Sequence, residues 1–81
     1  NGSFAFHAEP LSDVLQELER WYDVHVFIAN EEIRDMKFTR IFPRYADMDK
    51  VLNIVELATG VSCKVNNRTI VISKYENKSG K

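Results

Sequence analysis

Cysteine is almost missing from this chain: Cys63 is the only one in 81 residues. An internal disulfide is excluded, and so is a cysteine-rich metal site. One thiol fits an oxidising or a reducing compartment equally well. Glycine and proline are scarce, at three and two residues. No Gly-rich loop is present to cradle a phosphate, and no serine or cysteine nucleophile motif occurs. The two histidines, His7 and His25, lie far apart with no ligand-like spacing. No apolar run approaches the roughly 20 residues of a membrane-spanning helix, and no signal peptide is visible. An excess of one charge is also lacking, since the formal net charge is -1. The basic residues are matched by acids along the chain, so no field draws in nucleic acid or an acidic membrane. The acids Asp13, Glu17, Glu19, Asp47 and Asp49 fall on solvent faces or helix starts, where solvation and the helix dipole explain them. Catalysis, a metal and a cofactor are therefore not expected.

What is present is 44% hydrophobic and 28% charged residues, the balance of one small folded domain. A chain of this length buries only about 60% of its unfolded surface, so each large apolar residue matters. Residues 4–74 are expected to form the domain. Residues 1–3 read as linker, and 75–81, "YENKSGK", as a polar tail. The abrupt start suggests a piece of something longer. Three Asn-X-Ser/Thr triplets, at Asn1, Asn67 and Asn77, read as turn or tail chemistry.

Phe4-Ala5-Phe6 alternates as a short strand, interrupted at Glu9-Pro10. Pro10 suits the first turn of a helix. Leu11, Val14, Leu15, Leu18, Trp21 and Tyr22 then recur at spacings of three and four, one stripe of a helix. Trp21 and Tyr22 continue that stripe; they are either a wedge at the core's edge or a ligand platform. Val24, Val26 and Ile28 alternate with His25 and Phe27 in a second strand, which Asn30-Glu31-Glu32 breaks. In a third strand Met36, Phe38, Arg40 and Phe42 share one face, and Pro43 ends it. Asp47 suits an N-cap. The second helix shows Met48, Val51, Leu52, Val55 and Ala58 on one stripe, widened by Ile54 and Leu57. That broad arc predicts deeper burial than in the first helix. Val61–Val65 and Arg68–Ser73 form a hairpin around Asn66-Asn67, with Cys63 opposite Ile70 and Val61 opposite Ile72. Cys63 is then a small, buried structural residue.

The segments "VLQELERWYDVHV" and "VLNIVELATGVSC" superpose at an offset of 37 residues. Val14-Leu15 falls on Val51-Leu52, Leu18 on Val55, Glu19 on Glu56, Val24 on Val61, and Asp23 on Gly60. Gly60 marks a left-handed helix end, so Asp23 is predicted to hold that conformation in the first copy. Trp21-Tyr22 falls on Ala58-Thr59, a size match that predicts contact between the helix ends. The fold class is thus α+β, a duplicated β-α-β in the order βαββαββ.

The stretches "PLSDVLQELERWYDVHVFI", "MKFTRIF" and "VLNIVELATGVSCKVNNRTIVI" resemble the C-terminal domain of FecR-type anti-sigma factors, membrane-bound regulators abundant in Bacteroidetes. The likeness runs from about Phe4 to Ile72. The family often has Gly where Arg40 stands. The domain is also similar to the short N-terminal signalling domains of secretins and TonB-dependent transducers, which implies two helices packed between two small sheets. The resemblance implies that residues 4–74 are a periplasmic signalling domain, anchored to the inner membrane through a helix outside this chain. It implies that a cytoplasmic segment, also outside this chain, binds a sigma factor. The periplasmic part would contact the signalling domain of an outer-membrane TonB-dependent transducer. The alternative is the N-terminal signalling domain of a transducer or secretin itself, which its flanks would decide. Two candidate contact regions follow. One is the connection with Arg40, Arg44 and Tyr45, residue types favoured at contact hot spots. The other is the closing strand with Arg68, Thr69 and Val71, read as an edge able to accept a partner strand.

Overall fold

A computed structural model describes residues 3–74. The elements run β1 (Ser3–Pro10), α1 (Leu11–Tyr22), β2 (His25–Ile28), a 3-10 turn (Glu31–Ile33), β3 (Lys37–Pro43), α2 (Met48–Thr59), β4 (Val61–Asn66) and β5 (Thr69–Lys74). This is the expected βαββαββ order. The strands form two sheets: sheet A pairs β1 with β3, and sheet B has the order β2-β5-β4. Each helix contacts both sheets. The expected polar tail at 75–81 lies outside the described residues.

The core is the sum of the periodic apolar positions. Leu11, Val14, Leu15 and Leu18 of α1 are buried, as are Val51, Leu52 and Val55 of α2. Phe6, Phe38 and Phe42 close it from sheet A, and Val61, Ile70 and Ile72 from sheet B. Each such side chain contributes about 1.5–3 kcal/mol by leaving water. Ile33, which no periodic stripe includes, is also buried, on the 3-10 turn. That turn lies close to the start of α1. The Leu11 and Ser12 amides donate to the Met36 and Arg34 carbonyls at 2.7 and 3.1 Å. These bonds satisfy helix-end donors that Pro10, the N-cap residue, has no side-chain group to reach.

Five details depart from expectation. β1 runs on to Pro10, past Glu9, with a register shift between Phe6 and Glu9. Ala8 takes a positive φ of 50° there, and its amide donates to Thr39 Oγ1 at 2.8 Å. Helix α2 is not the more deeply buried helix: Leu57 is 79% exposed and Ala58 is exposed. Its widened arc extends past what two small sheets can cover. The helix ends do not meet through Trp21 and Ala58. The indole packs instead on β1, stacked on Phe4, with the Phe6 ring 5.6 Å away. Tyr22 reaches the other end of α2, where its hydroxyl donates to the Ala46 carbonyl at 2.7 Å. Asp47 occupies the α2 N-cap but makes no side-chain cap bond.

The fifth departure is the hairpin register. The turn residues are Asn67 and Arg68, one position later than expected. Cys63 pairs with Ile72 and Val65 with Ile70. The shift of two residues leaves every side chain on its expected face. Asn67 alone of the two turn residues takes a positive φ, 59°, while Asn66 stays in the ladder opposite Thr69. This placement also carries Arg68 to the first copy. Its carbonyl accepts from the His25 amide at 2.8 Å, and its guanidinium pairs with Asp23. Sequence-local turn preference yielded to these contacts with β2.

The duplication is visible in detail. Asp23 and Gly60 both end their helices left-handed, at φ 55° and 83°. Glu19 Oε2 accepts from the Val26 amide at 2.7 Å. Glu56 Oε2 accepts from the Cys63 amide, also at 2.7 Å. Both bonds join residues related by the same offset of 37.

Candidate interaction surfaces

The two glutamates decide which strand edges are open. β5, the expected edge, is the central strand of sheet B, held by β2 on one side and β4 on the other. Strand addition there is blocked, because a partner strand needs unpaired backbone groups. The outer strands are β2 and β4, and each is guarded. On β2 the outward amide of Val26 donates to the Glu19 carboxylate, and just before the strand, at the end of α1, the Val24 amide donates to the Glu19 carbonyl. On β4 the outward amides of Cys63 and Val61 go to Glu56 and to Thr59 Oγ1. A buried or paired edge amide offers no template to another chain. In the two-stranded sheet A, each strand is paired on one side only among the described residues.

The six candidate residues do not converge on one site. Arg68, Thr69 and Val71 belong to sheet B, on its hairpin turn and outward face. Arg68 is engaged by Asp23, both of them exposed. Val71 lies in a cross-strand row with Phe27 on one side and Lys64 on the other. Phe27 is 63% exposed. It therefore joins Val71 in an apolar strip on the open face. The alternation of β2 already put Phe27 opposite Val26 and Ile28, which was the available signal for this exposure.

Arg40 belongs to the middle of β3 in sheet A, and Arg44 and Tyr45 to the turn that follows it. Arg40 is exposed on β3 opposite Phe6. Arg44 and Tyr45 form the tip of a turn closed by the Ala46 amide on the Pro43 carbonyl at 3.1 Å. The Arg44 guanidinium sits 5.8 Å from the Tyr45 ring centroid, and Tyr45 is 87% exposed. The Tyr22 hydroxyl anchors the same turn from α1 through Ala46. Burial, and secondarily the Asp47 charge, push the Tyr22 phenol above its ordinary value. The phenol stays protonated and keeps donating. A groove of about 330 Å3 opens beside the turn, between Pro43, Tyr45, Lys50 and Ile54. The tip is thus an exposed cation–aromatic pair next to an apolar recess, a combination of types favoured at protein contacts.

The remaining chemistry is structural. Cys63 is half-buried behind Leu52; burial, with Glu56 adding a smaller effect, pushes its thiol up to about 12. Such a thiol is a poor nucleophile. Among the described residues no group of three or more His, Cys, Asp or Glu is placed to hold a metal ion.

Fold and surface together define a class: a small α+β module, built from a duplicated β-α-β unit, with two separate exposed patches. Residues 3–72 match the family model for the FecR C-terminal domain, and the chain belongs to that family. Its fold is that of a Parabacteroides distasonis protein provisionally assigned as an anti-sigma factor. Two crystal structures of that protein, at 1.65 and 2.50 Å resolution, each superpose with a TM-score of 0.81 at 24% identity. The match covers 93% of this chain but only 35% of that one, so the chain spans about a third of the protein it resembles. No curated protein sequence matches it.

Proposed function

We propose that this chain is the periplasmic C-terminal domain of a membrane-bound FecR-type anti-sigma factor. In this reading it relays the state of an outer-membrane TonB-dependent transporter to a sigma factor by protein contact, with no covalent step. The observation that carries the proposal is the family match over residues 3–72. The two exposed surfaces, around Arg44-Tyr45 and around Phe27-Val71, are consistent with it. Among the described residues no helix is long and apolar enough to cross a membrane, so the proposal assigns the span and the sigma-binding segment to other parts of the full-length protein.

The test is genetic. The codons for residues 3–74 are deleted from the full-length gene in its host, and transcription from the sigma-dependent promoter is measured with and without the imported nutrient. Loss of the nutrient response, with the regulator still made at its normal level, is the expected result. An unchanged response would overturn the proposal. Flanking sequence separates this role from that of the transducer itself: a single membrane-spanning segment upstream is expected, and a plug and β-barrel downstream would reverse the assignment.

A further inference from the structure

The strand edges of this domain are unequally guarded. Glu19 and Glu56 occupy amides on both outer edges of sheet B. Among the described residues β1 has no such cap on its free side, where alternate N–H and C=O groups point outward. Along that side a groove of about 550 Å3 separates β1 from the flank of α1. Its apolar wall is Phe4, Phe6 and Trp21, with Phe4 stacked on the indole. Its rim carries Glu9, Asp13 and Glu17, and among the described residues no Lys or Arg lines it. Glu17 also meets the exposed Arg20 at 3.4 Å, an exposed pair that holds it weakly.

These features select a ligand chemistry. A strand laid along β1 turns alternate side chains toward α1. Those side chains would run over the aromatic wall and end among three carboxylates. Arg and Lys fit both demands: their stems lie on apolar surface while the charged head reaches out, and the head is attracted to an aromatic face. An acidic segment would meet like charge, and an apolar one would bury carboxylates without partners.

We propose that the free edge of β1 accepts an extended cationic segment of a partner protein by strand addition, with Arg or Lys at the alternate positions that face α1. The inference rests on the contact role proposed above and names where one contact falls and what chemistry the partner brings.

The test uses the 15N-labelled domain and two short capped peptides, one alternating Arg with Val and one alternating Glu with Val. The Arg-Val peptide is expected to shift the amides of Ser3–Glu9 and the Trp21 indole N–H, to slow hydrogen exchange along β1, and to bind more weakly as salt rises. The triple variant Glu9→Gln, Asp13→Asn, Glu17→Gln is expected to bind about tenfold more weakly while staying folded, its melting temperature lowered only by the small helix-dipole contribution of Asp13. If the triple variant does not fold, Asp13→Asn alone, at an exposed helix position, serves with a smaller loss expected. Equal binding of the Glu-Val peptide would overturn the proposal. So would shifts confined to sheet B or to the Pro43–Ala46 turn, or shifts without protection of β1 amides. Titrating the same sample with a transducer's signalling domain separates the two ideas. Binding mapped away from β1 would remove this site and leave the contact role standing.

Discussion

Replacing Glu56 by Ala removes the acceptor of the Cys63 amide, a 2.7 Å bond between a carboxylate and a half-buried N–H. A hydrogen bond to a charged group contributes about 1.5–3 kcal/mol, and partial exposure puts this one near the lower end. Alanine returns a few tenths of a kcal/mol through its better helix propensity. The net loss expected is about 1–2 kcal/mol. In a domain of this size each kcal/mol lowers the melting temperature by about 4–8 °C. Glu56→Gln keeps a neutral acceptor in place and should lose about half as much. Glu19→Ala should behave alike, because Glu19 holds the Val26 amide at the same distance. β2 and β4 are separated by one strand, about 9.5 Å, so the two losses should add to within a few tenths of a kcal/mol. The assays are thermal unfolding by circular dichroism and amide exchange by NMR. The Cys63 amide should exchange faster in Glu56→Ala, and the Val26 amide in Glu19→Ala. The uncapped edges should also raise the tendency to associate at high protein concentration. Wild-type melting in both Ala variants, with unchanged exchange at Val26 and Cys63, would refute the reasoning.

Three further outcomes are expected. Asp23→Gly should stabilise the domain by about 0.5–1 kcal/mol, because glycine relieves the left-handed strain and the exposed Arg68 pair it gives up is worth little. Gly60→Asp should cost about 1 kcal/mol, since φ is 83° there although none of the described residues lies within 4 Å of an added Cβ. Both follow from chemical unfolding, and a destabilised Asp23→Gly would contradict the shared cap geometry. The Tyr22 phenol has its pKa raised on folding, so its contribution is fully present below the unfolded value near 10 and is lost as pH rises through the folded one. Wild-type protein should therefore lose stability above about pH 10, and Tyr22→Phe should start about 1 kcal/mol lower and lose less over the same range. Cys63, pushed up to about 12, should resist iodoacetamide at mildly alkaline pH in the native protein and react readily in denaturant, as followed by mass spectrometry. Rapid native labelling would contradict its burial.

Periodicity made most of this fold legible. The stripe from Leu11 to Leu18 is buried throughout. The offset of 37 foretold the left-handed Asp23 from Gly60 alone. It also aligned Glu19 with Glu56, although the shared role of that pair needed the strands in place. What escaped were features set by long-range contacts. Nothing local says that β5 inserts between β2 and β4, so a central strand was read as an edge. The hairpin turn slid by one residue because Arg68 reaches β2 and Asp23. Asn30 and Glu32 similarly hold Lys74 across 44 and 42 residues, at 2.9 Å each, and the Lys74 bond holds the Glu32 carboxyl below its ordinary value. The depth of α2 was overestimated because apolar content does not say how much sheet is available to cover it.

The candidate surfaces were legible as residue types only. Arg44 and Tyr45 stood out as contact-prone, but the hydroxyl that anchors their turn at Ala46 comes from α1. Phe27 was visible by alternation, while its row with Val71 required the parallel pairing of β2 with β5. The groove beside β1 joins Phe4 and Glu9 to Asp13 and Trp21 in a way no spacing rule states.

The most direct measurement is a calorimetric titration of residues 1–81 with the purified N-terminal signalling domain of each TonB-dependent transducer of its host, the partner class proposed above. The account predicts saturable one-to-one binding that is weakened by surface substitutions which leave melting unchanged. Absence of any heat or complex, with both domains shown to be folded, would contradict it.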